Sequence, residues 1–378
     1  MRYCKNCLSP NSRPLSSFNT EGVCSACVFS ATNQDVNYEQ RLSELKHLVR
    51  RILRGRNHVR WDCIVGVSGG KDSTRQALWV REKLGMVPLL VSVAYPPRQI
   101  SQIGVDNLSN LVSLGFDVLM LGPAPRLSRE LVREAFLRFC NWCKATEMAL
   151  FAGVPRIALT RKIPLIFWGE NPALQVGDMG TLGESMWDGN NLVYSNTLAG
   201  GNLEWFEEVA GDRRRLHFYE FPSREELKSQ RIHTVFLGPA WKDWSAEVNS
   251  RVALTHGFQF RGGKPEDTGD LLGTSMVDED WTIVNFLLKY YKFGFSRGTE
   301  HANTLIRAGA ITREEGVEFA EVYDEACAPE YIRSFCLYAG LAESEFWHTV
   351  QKFSHPDLFD WSSGKPKKKF KVGEGIIG

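Results

Sequence analysis

Two groups of residues in this chain of 378 have types and spacings that could do chemistry. The first is Ser68-Gly69-Gly70-Lys71-Asp72-Ser73. It follows an apolar run, Ile64-Val65-Gly66-Val67, and leads at once into a helical pattern ending at Leu84. Two glycines let the backbone turn tightly and approach a ligand with no Cβ in the way. A helix starting at the turn offers unpaired N–H groups and the positive end of its dipole. Lys71 adds a full charge, and Ser68 and Ser73 add hydroxyls. Such a loop binds phosphate or pyrophosphate, although it lacks the GxxxxGK(S/T) spacing of the common P-loop. The second group is Cys4-x2-Cys7 and Cys24-x2-Cys27, separated by 16 residues. That is zinc-ribbon spacing. Four thiolates complete a tetrahedron and leave no position for water, so the ion is structural. A module this small has too little core to fold alone, and the metal supplies the difference.

A third pair, Cys140 and Cys143, lies near the end of a helical pattern. It fits a redox pair, a sulfur carrier, two ligands of an iron–sulfur cluster, or two packed core residues. A cluster needs more ligands, and no cysteine occurs between Cys143 and Cys327. Free cysteine is among the most buried residue types, which favours packing. Cys63, Cys327 and Cys336 read as ordinary core residues.

These residues need a scaffold. Strand patterns fall at Cys63–Val67, Val87–Ala94, Asp117–Leu121, Pro164–Gly169 and His233–Leu237, with helical patterns at 72–84, 103–114, 126–141 and 146–160 between them. This alternation implies an α/β fold with a doubly wound, mostly parallel sheet. Ligands of such sheets sit beyond the carboxyl ends of the strands at the switch point, where Ser68 and Gly169 would meet. The expected organisation is a ribbon module at 1–36, an α/β domain at 37–260 and a mainly helical region at 261–378. An amphipathic helix at 38–54 joins the first two. The glycine-broken stretch 175–232 reads as a long loop with one helix near 203–209. Lys365, Lys367, Lys368, Lys369 and Lys371 read as a solvated tail.

The bulk composition narrows the function. Hydrophobic content of 43% with 24% charged residues is that of a soluble globular protein. A net charge of +1 gives no basic field for gripping nucleic acid. The start of the chain has no secretory h-region, and no apolar run is long enough to cross a bilayer. The expectation is a cytoplasmic protein with reduced cysteines.

The SGGKDS string resembles the PP-loop of ATP pyrophosphatases, which release pyrophosphate and leave an adenylated substrate. Further strings follow in order. The ribbon runs Cys4-Lys-Asn-Cys7-Leu-Ser-Pro-Asn-Ser-Arg-Pro to Glu21-Gly22-Val23-Cys24-Ser-Ala-Cys27. Then come Trp168-Gly169-Glu170-Asn171, Tyr291-Lys292-Phe293-Gly294, and Ile306-Arg307-Ala308-Gly309-Ala310-Ile311-Thr312-Arg313-Glu314-Glu315. Together they resemble the N-acetyl sugar amidotransferase family of surface-polysaccharide and O-antigen biosynthesis, over nearly the whole chain.

That resemblance implies an AMP-forming amide ligase. ATP adenylates the acetamido oxygen of a nucleotide-linked sugar, ammonia attacks the imidate carbon, and an acetamidino sugar results. It implies ATP and Mg²⁺ beside the structural Zn²⁺. Ser68, Gly69, Gly70, Lys71, Asp72 and Ser73 would cradle the phosphates, with Asp72 also near Mg²⁺. Ser92 and Ala94 would meet adenosine, beside Gly169. Glu170 and Asn171 would serve the acetamido group or ammonia. Lys292, Arg297 and Arg313 are candidates for the anionic part of the substrate. No glutaminase nucleophile is recognisable, so ammonia would come from a separate glutaminase–barrel partner resembling the pair of histidine biosynthesis. The rival enzyme is a PP-loop tRNA thiolase, kept open by Cys140 and Cys143. A non-catalytic ATP-binding scaffold is disfavoured by the intact loop string.

Overall fold

The apolar runs form five parallel strands: β1 (Cys63–Gly66), β2 (Pro88–Val93), β3 (Asp117–Leu121), β4 (Leu165–Trp168) and β5 (His233–Phe236). In this computed structural model the described residues are 1–32, 36–55, 60–96, 98–169, 187–190, 192–194 and 198–376. The strand order is β3-β2-β1-β4-β5. The direction of winding reverses between β1 and β4, the switch point at which sheets of this kind open a crevice.

Six helices precede β4: α1 (Ser25–Thr32), α2 (Tyr38–Leu53), α3 (Lys71–Leu84), α4 (Gln102–Ser113), α5 (Pro125–Phe139) and α6 (Cys143–Arg161). Every residue of β2 is buried, as expected for a strand covered on both faces. Ile64, Leu89, Val91 and Ile166 pack with α5 and α6. Val65, Leu90, Leu165 and Phe167 pack with α2, α3 and α4.

The C-terminal helices share that first core. They include Thr282–Phe293, Arg297–Arg307, Arg313–Tyr323 and Glu343–Phe353. Phe136 of α5 is fully buried, stacks on Phe346 at 5.1 Å and meets Phe335 edge-on at 5.2 Å. Trp142 Nε1 donates to the carbonyl of Trp281 at 3.1 Å. Helices absent from the sequence expectation include Ala246–Thr255.

The lysine-rich end is not a solvated tail. Phe370 is fully buried against Tyr290 and Phe359, and two short antiparallel pairs, 359–360 with 367–368 and 370–371 with 375–376, tie the end down. The lysines point outward around this aromatic anchor, a snorkelling arrangement that charge counting alone cannot see.

The ribbon docks on the C-terminal helices. The Leu8 amide donates to Asn303 Oδ1 at 2.6 Å, and Ser12 Oγ donates to the Phe293 carbonyl at 2.5 Å. A Cβ on Gly316 would come within 3.2 Å of Leu8 Cδ1, so the two units touch closely.

Phe136→Ala should lower stability by about 3–5 kcal/mol, because it empties the junction between α5 and the C-terminal helices. Urea unfolding measures this, and a loss under about 1 kcal/mol would show that the junction carries little of the fold.

Candidate functional site

The loop leaves β1 in the crevice between β1 and β4. Gly69 has φ of +83°, and a Cβ there would sit 3.2 Å from the Leu108 amide nitrogen of α4. Glycine alone satisfies both conditions without strain. Gly70 is the N-cap of α3 and makes no side-chain cap, so the helix begins at Lys71 with its first N–H groups directed outward. Within the loop, the Gly70 amide donates to Ser68 Oγ at 3.3 Å and Ser73 Oγ donates to the Gly70 carbonyl at 3.1 Å.

Lys71 is buried and donates to Asp72 Oδ2 at 2.7 Å. Asn249 Nδ2 donates to Asp72 Oδ1 at 2.5 Å. Burial raises the Asp72 carboxyl, but the charge and hydrogen bond of Lys71, the Asn249 amide and the charge of Arg297 together hold it below its ordinary value. It is therefore ionised at neutral pH.

Asn249 is oriented by buried Arg75, whose Nη1 donates to Asn249 Oδ1 at 2.5 Å and to the Asp243 carbonyl at 2.9 Å. Arg75 Nη2 pairs with Asp243 Oδ2 at 2.7 Å, and the guanidinium lies 5.0 Å from the Trp241 ring centre. One short helix thereby sets the carboxylate of the loop. Neither Asn249 nor Arg75 is named by sequence reasoning. Asn249 is 177 residues from Asp72 along the chain, with no local motif to mark it.

Gly169 ends β4 against α3, where a Cβ would meet Gln76 Oε1 at 2.9 Å and the Trp244 ring at 2.8 Å. Glu170 and Asn171 lie outside the described residues. Ser92 is buried on β2, with its Oγ unpartnered among the described residues. The Ala94 amide donates to the Leu121 carbonyl at 2.7 Å, which leaves its carbonyl as the backbone group for a ligand.

The C-terminal region packs on the start of α4. The Ser101 amide donates to the Asp278 carbonyl at 2.9 Å, and a Cβ on Gly104 would sit 2.7 Å from Asp278 Cα. From the next helices come Lys289, Arg297 and Glu300. Lys289 Nζ lies 2.8 Å and Arg297 Nη1 3.6 Å from Glu300 Oε2. Arg13 of the ribbon reaches Glu300 Oε1 at 3.2 Å. Burial raises Glu300, but Lys289, Arg13 and Arg297 outweigh it and keep the carboxylate ionised.

Of the three cations proposed from sequence, only Arg297 belongs to this group. Lys292 donates to the Phe139 carbonyl, and Arg313 donates to the carbonyls of Cys7 and Gly373. Both hold elements together.

Cys4, Cys7, Cys24 and Cys27 bring their sulfurs within 4.8 Å of one another. The Cys4–Cys27 and Cys7–Cys24 separations are 3.9 and 3.7 Å. Zn–S bonds of about 2.3 Å in a tetrahedron require S···S of about 3.8 Å, so the residues fit zinc. The Cys24 amide donates to Cys4 Sγ at 3.2 Å and the Ser9 amide to Cys7 Sγ at 3.4 Å, which helps stabilise thiolates.

Cys140 and Cys143 are packed in the core under α5 and α6. Burial pushes the Cys140 thiol up to about 12 and Cys143 well above its ordinary value. Among the described residues they belong to no metal-holding group.

Purified protein should hold close to one zinc per chain. Cys4→Ser should lose it and lower the melting temperature, as elemental analysis and calorimetry would show. Full zinc content in Cys4→Ser would refute the ligand set. Gly69→Ala should weaken ATP-analogue binding measured by calorimetry, because its Cβ strains the loop and presses on α4. Unchanged affinity would show that the loop tolerates a different turn.

No curated protein sequence matches the chain. Among solved structures, the U34-tRNA thiolase NcsA from Methanococcus maripaludis, with its 4Fe-4S cluster, is similar at 16% identity and a TM-score of 0.33. That similarity covers 82% of this chain and 87% of the other. Residues 276–373 match the family model described as "LPS biosynthesis protein WbpG-like, C-terminal domain". That stretch contains Lys289, Arg297 and Glu300, and of these Arg297 acts on Asp72 of the loop. Over that C-terminal quarter the chain is similar to a domain of lipopolysaccharide-biosynthesis proteins.

Proposed function

We propose that the chain is an ATP-dependent, AMP-forming amidotransferase acting on an N-acetyl sugar of lipopolysaccharide assembly. The observation that carries this reading is the loop itself. A phosphate-binding turn at the sheet's switch point holds an ionised aspartate beside a buried lysine, in a chain with a WbpG-like C-terminal domain.

The chemistry needs little from the protein beyond position and charge. The amide oxygen attacks the α-phosphorus of ATP, and the bond to pyrophosphate breaks. Ammonia then adds to the imidate carbon, loses a proton, and AMP departs with the former amide oxygen. The sum is acetamido sugar, ATP and ammonia giving acetamidino sugar, AMP and pyrophosphate. The loop N–H groups and Lys71 hold the departing pyrophosphate. Asp72, kept ionised and oriented by Asn249, is the residue that would hold Mg²⁺, which neutralises phosphate charge when bound. In this proposal Glu170 and Asn171 remain candidates for the acetamido group or ammonia, and Ser92 and Ala94 for adenosine.

Ammonia would come from a separate glutaminase. The described cysteines outside the ribbon include Cys140 and Cys143, whose buried, protonated thiols are poor nucleophiles. The same burial counts against a tRNA thiolase.

The lone chain, given Mg·ATP, ammonium chloride and a panel of acetamido nucleotide sugars, should release AMP and lighten one sugar by about one dalton. Glutamine should not replace ammonium. The rate should rise between pH 7 and about 9, because only unprotonated ammonia attacks. Lys71→Ala and Asp72→Ala should cut turnover about 10²-fold. Asn249→Ala should cut it about tenfold, through Asp72. ADP as the product would overturn the reading.

A further inference from the structure

We infer that Arg13, Lys289 and Arg297, gathered on the carboxylate of Glu300, form a subsite for the diphosphate of the sugar substrate. The inference rests on the amidotransferase reading and adds what that reading leaves open, namely the group by which the sugar is held.

The cations come from three separate elements. Arg13 belongs to the ribbon, Lys289 to the helix Thr282–Phe293, and Arg297 to the first turn of the helix Arg297–Arg307. All converge on one carboxylate, at 3.2, 2.8 and 3.6 Å. A network serving stability alone would match cations to acceptors, since unmatched buried charge is costly. Here Glu300 is shared three ways. The Arg13 guanidinium also lies 5.4 Å from the centre of the Phe295 ring, and Lys289 lies 5.3 Å from the same ring. Neither contact uses up the donors of the two cations.

Two further carboxylates lie behind the group, Asp270 feeling the charge of Arg297 and Asp324 that of Lys289, and each has hydrogen-bond partners of its own. Asp270 accepts from the Ser275 amide and hydroxyl and pairs with His301. Asp324 accepts from the Thr299 amide and hydroxyl. Both are 2% exposed. The side chains of Arg13, Lys289 and Arg297 are 18, 23 and 25% exposed, so a ligand can reach the cations and not those acids.

Position selects the ligand. The Arg297 charge is felt at Asp72, which places the subsite beside the loop. A short polar route joins them. Asn249 bonds Asp72, the adjacent Ser250 Oγ donates to Thr274 Oγ1 at 3.1 Å, and the adjacent Ser275 Oγ accepts from Arg297 Nη2 at 2.6 Å. Activation at the loop fixes where the amide oxygen lies. In a glycosyl diphosphate whose acetamido group sits next to the anomeric carbon, amide and diphosphate occupy adjacent ring atoms. One molecule can then place its amide at the loop and its diphosphate on these cations. Guanidinium and ammonium donors suit phosphate oxygens. A free sugar or a neutral glycan has nothing to offer them.

The test uses the zinc-replete full chain. Calorimetry with methylenediphosphonate is run with the loop filled by Mg²⁺ and α,β-methylene-ATP. The expected result is a second bound diphosphate, weakened about tenfold by each of Arg13→Gln, Lys289→Gln and Arg297→Gln. Glu300→Gln should tighten it by removing a competing anion, an effect a purely structural network would not give. Arg297→Lys should recover part of the loss, and melting temperatures report folding of each variant. Binding indifferent to the three cations, or weakened in a folded Glu300→Gln protein, overturns the proposal. In turnover assays the glutamine variants should raise KM for the nucleotide sugar and leave KM for ATP unchanged. A raised KM for ATP alone would assign the cations to ATP and overturn the proposal. Cation-dependent diphosphate binding without AMP formation from any sugar would sink the amidotransferase reading and leave the subsite standing. UDP binding as tightly as methylenediphosphonate or better, with free N-acetylglucosamine unbound, supports a nucleotide carrier over a lipid one.

Discussion

The site depends on one backbone constraint. At residue 69 the chain must turn with positive φ while pressed against the backbone of α4. That turn aims the first N–H groups of α3 into the crevice and brings Lys71 and Asp72 to its floor. The constraint is relayed outward. The loop rests on α4, and α4 is itself held by close approach of Gly104 to Asp278, at the head of the C-terminal region. A segment distant in sequence thereby sets the surface against which the loop turns. The loop string and the C-terminal region are parts of one packed object.

The ribbon extends the same logic. Its four cysteines lie away from the loop, and their closed tetrahedral geometry leaves no position for chemistry. What the ribbon contributes to the group around Glu300 is Arg13. A guanidinium on a loop of this size would otherwise be free to wander, at a cost in side-chain entropy whenever it was fixed. Metal folding of the ribbon, with the contacts of Leu8 to Asn303 and Ser12 to Phe293, removes most of that freedom beforehand. Glu300 completes the arrangement by holding three cations near one another that would repel if left alone.

The scaffold was legible in the sequence, and the reason is physical. Strands buried on both faces, as β1 and β2 are, read as continuous apolar runs, and each of the five strands, the more exposed edge strand β3 included, falls within about one residue of its expected bounds. The ribbon was legible because its ligands are local pairs. The helix Ala246–Thr255 was not. Its buried side chains include Asn249 and Ser250, polar residues whose partners are in other elements. The cationic group was hidden for a related reason. Arg13 and Glu300 are 287 residues apart, and no pattern links them. Lys289 and Lys292 stand three residues apart on one helix, yet the first pairs with Glu300 and the second caps α5 through the Phe139 carbonyl. Charge type is written in the sequence, but the partner of a charge is decided by tertiary packing. The lysine-rich end shows the same rule, since a single buried Phe370 outweighs five solvated lysines in fixing where the chain goes.

The Lys71–Asp72 pair follows from the cost of buried charge. A buried ammonium needs a counter-ion, and in the resting chain Asp72 fills that role. In the proposed reaction phosphate oxygens arrive beside Lys71 and take over as its partners. Asp72 would then be left as a partly buried anion near a polyphosphate, an arrangement that repels unless a divalent cation lies between them. Asn249, itself fixed by Arg75 and Asp243, keeps the carboxylate turned toward the crevice through that exchange. In the proposed reaction the network behind the loop would serve the charged state that forms when nucleotide binds, a role that offsets the desolvation cost of burying Arg75 and Asn249.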